Sequence, residues 1–387
     1  MGTNINAIIT FIERLQGDCK KMENIWQKYA KVLVEYSTDV QKGDLVIIRG
    51  DSQAQPLIKA VYEEVLKKGA NPICKVTLPG IAESYFKYAS DEHLEFVDPF
   101  TKNEYETAHK FISIGAPYNT KNMAKVDSTK LAKRSSANRP LSKLLLERAA
   151  KGELSWVICD YPTESLAQEA KMSLDDYSEF LFNACHLYSD DPVSKWKEVG
   201  KMQDRLVDYL NKTSKMRFVG EKTDITFSTA GRKWISCCGL NNFPDGEIFT
   251  SPVEDSAEGT IYFDFPQLYR GNESKGVWVK LEKGKVVEAT AESGEDFFIN
   301  MINQDEGARF VGEIAIGTNK EIQDITGNIL FDEKIGGSIH MALGASYPET
   351  GGKNESGLHW DLIKNMKNGG KIYADDILIY ENGDFII

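Results

Sequence analysis

The sequence predicts a mixed α/β (α+β) protein in two parts, an N-terminal α/β domain with parallel βαβ units and a β-rich C-terminal domain. Three observations lead to this prediction. A strand, a helix and a strand follow one another closely near the N-terminus, helices and strands then alternate to about residue 210, and strand patterns dominate the rest. Apolar strands joined through helices are typical of a parallel sheet. We therefore place the domains at residues 1–210 and 211–387.

The N-terminal half begins with helical periodicity over about forty residues, which predicts one or two helices. The apolar run KGDLVIIRG is followed by the amphipathic segment SQAQPLIKAVYEEVLKKGA, with Leu66 on its apolar stripe, and then by NPICKVTL. This succession predicts a βαβ unit. KFISIGAPYN and LSWVICDYPT predict two further strands, and helices are expected after Ser173 and over residues 194–213.

Beyond residue 215 the pattern changes to short strands separated by turn residues. The segments KTDITFSTAGRKWISCCGL, GTIYFDFPQLY, GVWVKLEKGKVVEATA and ARFVGEIAIG all have this character. Within them, KLEKGKVVEA predicts a hairpin that turns at Gly284.

The composition limits the partners and the compartment. A net charge of −12 disfavours binding to nucleic acid, and the most basic stretch, residues 121–139, is interpreted as a solvated loop. The sequence has no apolar run of about 18 residues that would predict a membrane span, and its N-terminus lacks the basic region of a signal peptide. The six cysteines have no CxxC spacing, and Cys74 and Cys159 are predicted to be core thiols. We expect a soluble, cytoplasmic protein without nucleic-acid or membrane partners.

Two of the five histidines stand out. His93, His109 and His186 occur singly, and each is interpreted as a surface or core residue. His340 and His359 instead lie within SIHMALGASYPETGGKNESGLHWDL.

The HWD motif predicts a metal site. On an extended strand, His359 and Asp361 project from the same face, about 6.5–7 Å apart. They could therefore converge on one metal ion or on two adjacent ions. Imidazole and carboxylate ligands suit Zn, Co, Mn or Fe.

Two carboxylates upstream could complete this site. Glu247 follows a Pro-Asp-Gly turn and starts a strand, whereas Glu313 lies inside the apolar strand RFVGEIAIG. A carboxylate in such a strand is costly to bury unless it is paired or bound to a cation. The alternatives stay open at this point: Glu247 as a solvated turn acid, and Glu313 as the ion-pair partner of Arg309 or Lys320.

Four segments of the sequence, taken in order, resemble the thermophilic-type aminopeptidase family, peptidase family M29. They are PDGEIFTSPVEDSAEGTIYFDFP, GARFVGEIAIGTN, ILFDEKIGGSIHMALGASYPE and SGLHWDLI. The resemblance covers most of residues 155–365. It implies a metal-dependent aminopeptidase with two divalent metal ions (Zn, Co or Mn) in the C-terminal domain, held by two Glu, two His and one Asp with a Tyr close by. Matched motif by motif, the metal-site residues it implies are Glu247, Glu313, His340, Tyr347, His359 and Asp361. It also implies a homodimer and short peptide substrates.

Two of these residues are expected to act in catalysis. We hypothesise that Glu313 is a bridging or water-facing carboxylate and that Tyr347 donates a hydrogen bond to the oxyanion of the tetrahedral intermediate. The alternative for Tyr347 is simple packing against Pro348.

Two other functions remain as alternatives. A dinuclear phosphoesterase or amidohydrolase could use the same ligands, although few basic residues stand near them in the sequence. A non-catalytic small-molecule binder could instead use IRGDSQAQ as a phosphate-binding turn, but this segment has a single Gly and no dinucleotide or Walker motif.

Overall fold

The computed structural model describes residues 24–387. The prediction for the N-terminal helices falls partly on residues 1–23, and the signal-peptide prediction falls entirely there; those residues lie outside the described part. The chain divides into two compact units, Met1–Gln168 with Met172–Trp196 and Gly239–Phe243, and Glu169–Lys171 with Lys197–Cys238 and Pro244–Ile387. The two domain ranges given above stay predictions. Within residues 24–387, none of the helices combines the length and apolarity needed to cross a membrane.

The described strands are, in chain order, β1 (Leu45–Asp51), β2 (Asn71–Thr77), β3 (Lys110–Gly115), β4 (Ser155–Asp160), β5 (Lys215–Gly220), β6 (Thr223–Ser228), β7 (Ile235–Cys237), β8 (Asn242–Phe243), β9 (Glu247–Thr250), β10 (Glu258–Phe263), β11 (Gln267–Tyr269), β12 (Asn272–Ser274), β13 (Val277–Glu282), β14 (Lys285–Thr290), β15 (Val311–Gly317), β16 (Ser338–Gly344), β17 (His359–Asn365), β18 (Lys371–Ala374), β19 (Ile377–Glu381) and β20 (Asp384–Phe385).

The α-helices are Gln55–Lys67, Ile81–Tyr88, Asp91–Glu95, Pro99–Thr107, Ser128–Ala150, Glu164–Glu169, Leu174–Ala184, Pro192–Leu210, Glu295–Ile302 and Ile329–Asp332. Residues 24–31 are also helical and continue into a π-helix, Val32–Ser37. Short 3₁₀ turns are Ser52–Ala54, Glu306–Arg309 and Pro348–Thr350.

The first unit contains a parallel sheet in the order β2-β1-β3-β4-β8. The βαβ prediction is confirmed, and helix Gln55–Lys67 buries Leu57, Val61 and Val65. Leu66 is 50% exposed, so its assignment to the stripe was wrong, because it lies about 100° around the helix from Val65. Cys74 is likewise exposed, because β2 forms an edge of the sheet. The basic stretch is helical from Ser128 onward rather than a loop.

The second unit is β-rich, as predicted. It contains an eight-stranded sheet, β14-β13-β10-β6-β5-β18-β19-β20, and a five-stranded sheet, β17-β16-β15-β9-β7, whose strands pair antiparallel. The hairpin between β13 and β14 turns at Gly284, which has a φ of +74° and packs on the carbonyl of Glu254. The predicted fold class, a parallel α/β region followed by a β-rich region, is confirmed.

The two faces of the five-stranded sheet differ in chemistry. Every residue of β15 and β16 is buried. One face packs into the core of the unit through Ile314, Met341 and Trp360. Because successive side chains of a strand point to opposite faces, Glu313 and His340 belong to the other face. The alternation thus places charged side chains on a sheet that is otherwise apolar.

Candidate metal centre

Four adjacent strands bring the predicted residues together. Glu247 begins β9, Glu313 is the third residue of β15, His340 lies on β16, and His359 and Asp361 lie on β17. We call these five residues the inner cluster.

Small residues separate the polar side chains of this face. Ala315 is the partner of His340 in the sheet, and Ala342 is the partner of Glu313 and of Asp361. The methyl groups leave space above the sheet that larger side chains would fill.

The imidazoles of the inner cluster point at its carboxylates. Nε2 of His340 lies 3.6 Å from Oε2 of Glu247, 3.6 Å from Oε1 of Glu313 and 3.9 Å from Oδ1 of Asp361. Nε2 of His359 lies 3.2 Å from Oε2 of Glu313 and 3.4 Å from Oδ1 of Asp361. The two oxygens of Glu313 therefore face different histidines.

Backbone carbonyl oxygens determine which nitrogen carries the proton in the neutral ring of His340 and of His359. Nδ1 of His340 lies 3.1 Å from the carbonyl oxygen of Glu333, and Nδ1 of His359 lies 2.8 Å from that of Ala345. Because a carbonyl only accepts hydrogen bonds, Nδ1 carries the proton in each ring. A neutral imidazole then presents the lone pair of Nε2 to the inner cluster, as a metal ligand requires.

The electrostatics of the metal-free cluster favour added positive charge. Burial alone would lower the pKa of His340 and His359, but their attraction to the neighbouring carboxylates outweighs it and raises these pKa values to about 10 and about 11. Burial raises the pKa of Glu247 to about 8 against the opposing charge of Lys334. Burial also opposes ionisation of Asp361, but His359 outweighs it and lowers that pKa to about 2.

Two carboxylate oxygens are left without a hydrogen bond. Among the described residues, Oε2 of Glu247 and Oδ1 of Asp361 are buried and accept none, although an imidazole nitrogen lies 3.4–3.6 Å from each. A buried, unsatisfied carboxylate oxygen is costly. A cation between these oxygens and the imidazoles would give the carboxylate oxygens and the imidazole nitrogens a partner. The residues therefore fit the divalent ions that the sequence predicted.

Tyr347 lies beside the inner cluster, just after β16. Its ring packs edge-on against Phe249 and His359, with centroids 5.3 and 5.1 Å away, so it has ring contacts beyond the predicted alternative of packing against Pro348. Burial, with the charges of Glu313 and Asp361, raises the pKa of its phenol. The hydroxyl stays protonated and can donate a hydrogen bond, and the side chain remains 37% exposed.

The structural alternatives for the two glutamates do not describe what is found. Glu247 is 6% exposed and is therefore not a solvated turn acid. Arg309 donates to Asn303 and to the carbonyl of Val286, and Lys320 pairs with Asp384, so neither cation is the partner of Glu313.

The three other histidines have structural contacts of their own. Nδ1 of His93 takes part in a capping box with Ser90, and Nδ1 of His109 accepts from the backbone N–H of Leu45. The ring of His186 packs on Trp196. Their interpretation as ordinary surface or core residues agrees with these contacts.

Sequence reasoning missed the residues behind Glu247. Lys334 is 1% exposed, and its Nζ lies 2.6 Å from Oε1 of Glu247 and 3.7 Å from Oδ1 of Asp245, and also contacts Glu333. We call Lys334 with Asp245, Glu247 and Glu333 the lysine cage. The only signal in the sequence is the position of Lys334 between FDE and the apolar, Gly-rich start of β16.

The chain is similar to known metalloproteases and aminopeptidases along almost its whole length. The family described as thermophilic metalloprotease (M29) matches residues 22–385. Aminopeptidase 2 of Geobacillus stearothermophilus is 26% identical over 91% of this chain and 92% of the relative. Aminopeptidase PepS of Streptococcus thermophilus is 27% identical over 94% of this chain and 98% of the relative. Among solved structures, AmpT from Thermus thermophilus gives a TM-score of 0.81 at 22% identity, covering 94% of this chain and 99% of AmpT; this likeness shows the fold.

Proposed function

The chain belongs to the thermophilic metalloprotease family M29 and is a metal-dependent aminopeptidase, and we propose that its inner cluster holds two divalent metal ions that act together in removing N-terminal residues from short peptides. One observation carries the proposal of two ions. The two oxygens of Glu313 face the Nε2 atoms of two different histidines, at 3.6 and 3.2 Å. Glu313 would therefore have one oxygen available as a ligand beside His340 and the other beside His359, as two ions would require.

Charge balance supports the same number of ions. The inner cluster and the lysine cage together contain five carboxylates, on Asp245, Glu247, Glu313, Glu333 and Asp361, and one ammonium, on Lys334. Buried charge is tolerated when it is compensated. With both histidines neutral, two divalent ions and the ammonium would balance the five carboxylates.

The nitrogen and oxygen ligands suit Zn, Co or Mn. Two such ions, when bound, would activate a water molecule and polarise the carbonyl of the scissile bond. On the protein side, Glu313 holds its negative charge between the two imidazoles. Tyr347 donates its phenolic hydrogen to the oxygen that becomes negative. The relatives named as aminopeptidases support an exopeptidase.

The phosphoesterase alternative would have to bind phosphate through the metal ions alone, without help from a free basic side chain among the described residues in contact with the inner cluster. Among the described contacts of the inner cluster the one ammonium is that of Lys334, which three carboxylates already engage. The alternative of a phosphate-binding turn is also weak. Asp51 stands at the start of that turn, accepting from the backbone N–H of Ala116, and its negative charge would repel phosphate.

Three further properties belong to this proposal. Short peptides are the substrates, and the active form is a homodimer, as the family resemblance implies. The compartment is the cytoplasm, which suits the free state of Cys74, Cys159, Cys185, Cys237 and Cys238.

The test is hydrolysis of Leu-, Arg- and Glu-aminoacyl fluorogenic amides by the purified protein. We expect turnover that is lost with chelator and restored by Zn, Co or Mn, with two ions bound per chain. N-acetylated versions of the same substrates should not be cleaved, and phosphoesters should not be hydrolysed. Glu313→Gln should lower kcat by about 10²- to 10⁴-fold.

The matched control is Glu288→Gln. It removes an exposed carboxylate of β14 that pairs with Lys280 on the neighbouring strand β13. It should leave kcat unchanged. Turnover of phosphoesters but of no amide would overturn the peptidase assignment, and a single bound ion in fully active protein would overturn the dinuclear part.

A further inference from the structure

The lysine cage contains an ammonium where a metal ion would otherwise fit. Cys237, Asp245 and Glu247 form a second group with metal-ligand chemistry, their ligand atoms lying within 4.8 Å of one another. Nζ of Lys334 lies 2.6 Å from Glu247 and 3.7 Å from Asp245. Two of the three candidate ligands are thus already in contact with a positive charge.

The surroundings of Lys334 make this charge persistent. Its side chain is 1% exposed, so water cannot replace the carboxylates as partners. The carboxylates of Glu247, Glu333 and Asp245 instead surround its Nζ as ion-pair partners. An uncompensated group of three buried carboxylates would be strongly unfavourable. The ammonium therefore does for these carboxylates what a bound cation would do.

The contact with Lys334 also orients Glu247. Oε1 accepts the hydrogen bond from Nζ, while Oε2 lies 3.6 Å from Nε2 of His340 and accepts no hydrogen bond among the described residues. Glu247 therefore has one oxygen turned to the cage and one turned to the inner cluster.

We propose that Lys334 is a built-in cation that takes the place of a metal ion among Cys237, Asp245 and Glu247, and so confines bound metal to the inner cluster and leaves Glu247 one oxygen for it. Lys334 is a positioning residue, since it acts through Glu247. The proposal rests on the proposed function to the extent that the inner cluster binds metal.

The experiment counts ions per chain by equilibrium dialysis and elemental analysis, with Co²⁺ as the probe. Lys334→Ala removes the ammonium and leaves space, so we expect one more ion per chain than in the wild-type protein. Lys334→Arg keeps a cation in the cage and should bind the wild-type number. Lys364→Ala is the matched control, because Lys364 is a lysine of β17 that is also 1% exposed but donates to a backbone carbonyl, that of Glu221; it should also bind the wild-type number.

A spectroscopic signature locates the additional ion. If it occupies the vacated place, the thiolate of Cys237 becomes one of its ligands, and Co²⁺-loaded Lys334→Ala should show a thiolate-to-cobalt charge-transfer band. The band should be absent from the wild-type protein and from Lys334→Ala with Cys237→Ser. A structural role of Lys334 alone would produce neither the extra ion nor the band.

The outcomes separate this inference from the proposed function. Equal ion counts in the wild-type protein and Lys334→Ala, or a cobalt–thiolate band in the wild-type protein, would overturn the inference and leave the peptidase proposal intact. One ion in the wild-type protein and two in Lys334→Ala would support the inference and overturn the dinuclear site. If Lys334→Ala does not fold, Lys334→Gln takes its place, since glutamine is shorter than lysine and uncharged. We again expect one more Co²⁺ ion per chain than in the wild-type protein.

Discussion

The histidines of the two units use the same ring nitrogen in opposite ways. In the first unit, Nδ1 of His109 accepts a hydrogen bond of 2.9 Å from a backbone N–H, and Nδ1 of His93 accepts one of 3.3 Å. In the second unit, Nδ1 of His340 and of His359 faces a backbone carbonyl oxygen at 3.1 and 2.8 Å. In the neutral ring the proton is therefore on Nε2 in the first pair and on Nδ1 in the second.

This difference shows how one backbone contact decides the chemistry of an imidazole. A protonated Nε2 cannot bind a metal, whereas an unprotonated Nε2 aimed at carboxylates can.

The same distinction separates two buried carboxylates of the second unit. Asp332 accepts from the backbone N–H groups of Thr326 and Gly327 and from the Thr326 hydroxyl, and so stabilises a loop. Glu313 faces the imidazoles of His340 and His359 instead. Buried acids satisfied by the backbone are structural, and those that face ligand-type groups indicate a site.

The largest expected difference is in metal affinity, between two single variants that each lack one histidine, one from each unit. His340→Ala deletes the Nε2 atom that we propose as a metal ligand at the centre of the inner cluster. It should weaken binding of at least one ion by about 100-fold or more, with activity lost at limiting metal. Competition of Co²⁺ with a chromogenic chelator measures this affinity.

His109→Ala removes a histidine whose Nδ1 is an acceptor, and it should leave the metal affinity unchanged. Equal metal affinities of His340→Ala and His109→Ala would contradict the stated difference between the histidines of the two units.

An intermediate effect is expected at Tyr347. Tyr347→Phe keeps the ring contacts with Phe249 and His359 but removes the hydroxyl that we propose donates to the oxyanion. We expect kcat to fall by about 10²-fold with KM and ion count little changed. Steady-state kinetics at saturating metal separate the two constants. A rise in KM alone would make Tyr347 a substrate-packing residue.

Much of the fold could be predicted from the sequence because hydrophobic periodicity is a local signal. The βαβ unit and the hairpin at Gly284 were both readable in this way. The exposure of Leu66 and Cys74 was not, because it depends on which face of a helix is covered and which strand lies at the edge of a sheet. These are tertiary properties that no short window contains.

The site was partly predictable for a similar reason. His359 and Asp361 are two residues apart on one strand, so their spacing alone predicts a shared face. Lys334 carries no such spacing and follows two acids, which is the pattern of a solvated segment. Only the antiparallel pairing of β9 with β15 and the Asp245 turn bring its partners to it.

The last prediction concerns the pH dependence of stability after metal removal. In the chelated protein His340 and His359 have pKa values of about 10 and about 11, above the value of about 6.5 of an unfolded chain. Their protonation therefore contributes stability that is fully present below pH of about 6.5 and is lost as the pH rises through these values. Glu247, with its pKa raised to about 8, acts in the same direction. Tm of the chelated protein should fall between pH 7 and pH 10.

The slope is roughly 1 kcal/mol per pH unit for each proton, or about 2–4 °C for each kcal/mol in a unit of this size. Saturating metal should flatten it, since ligated imidazoles have no proton to lose over this range. His359→Ala should make the chelated slope shallower, whereas His109→Ala should leave it as it is. Differential scanning calorimetry with and without chelator makes the measurement. A chelated slope that is unaffected by His359→Ala would mean that the imidazoles of the second unit do not hold the protons that a metal replaces.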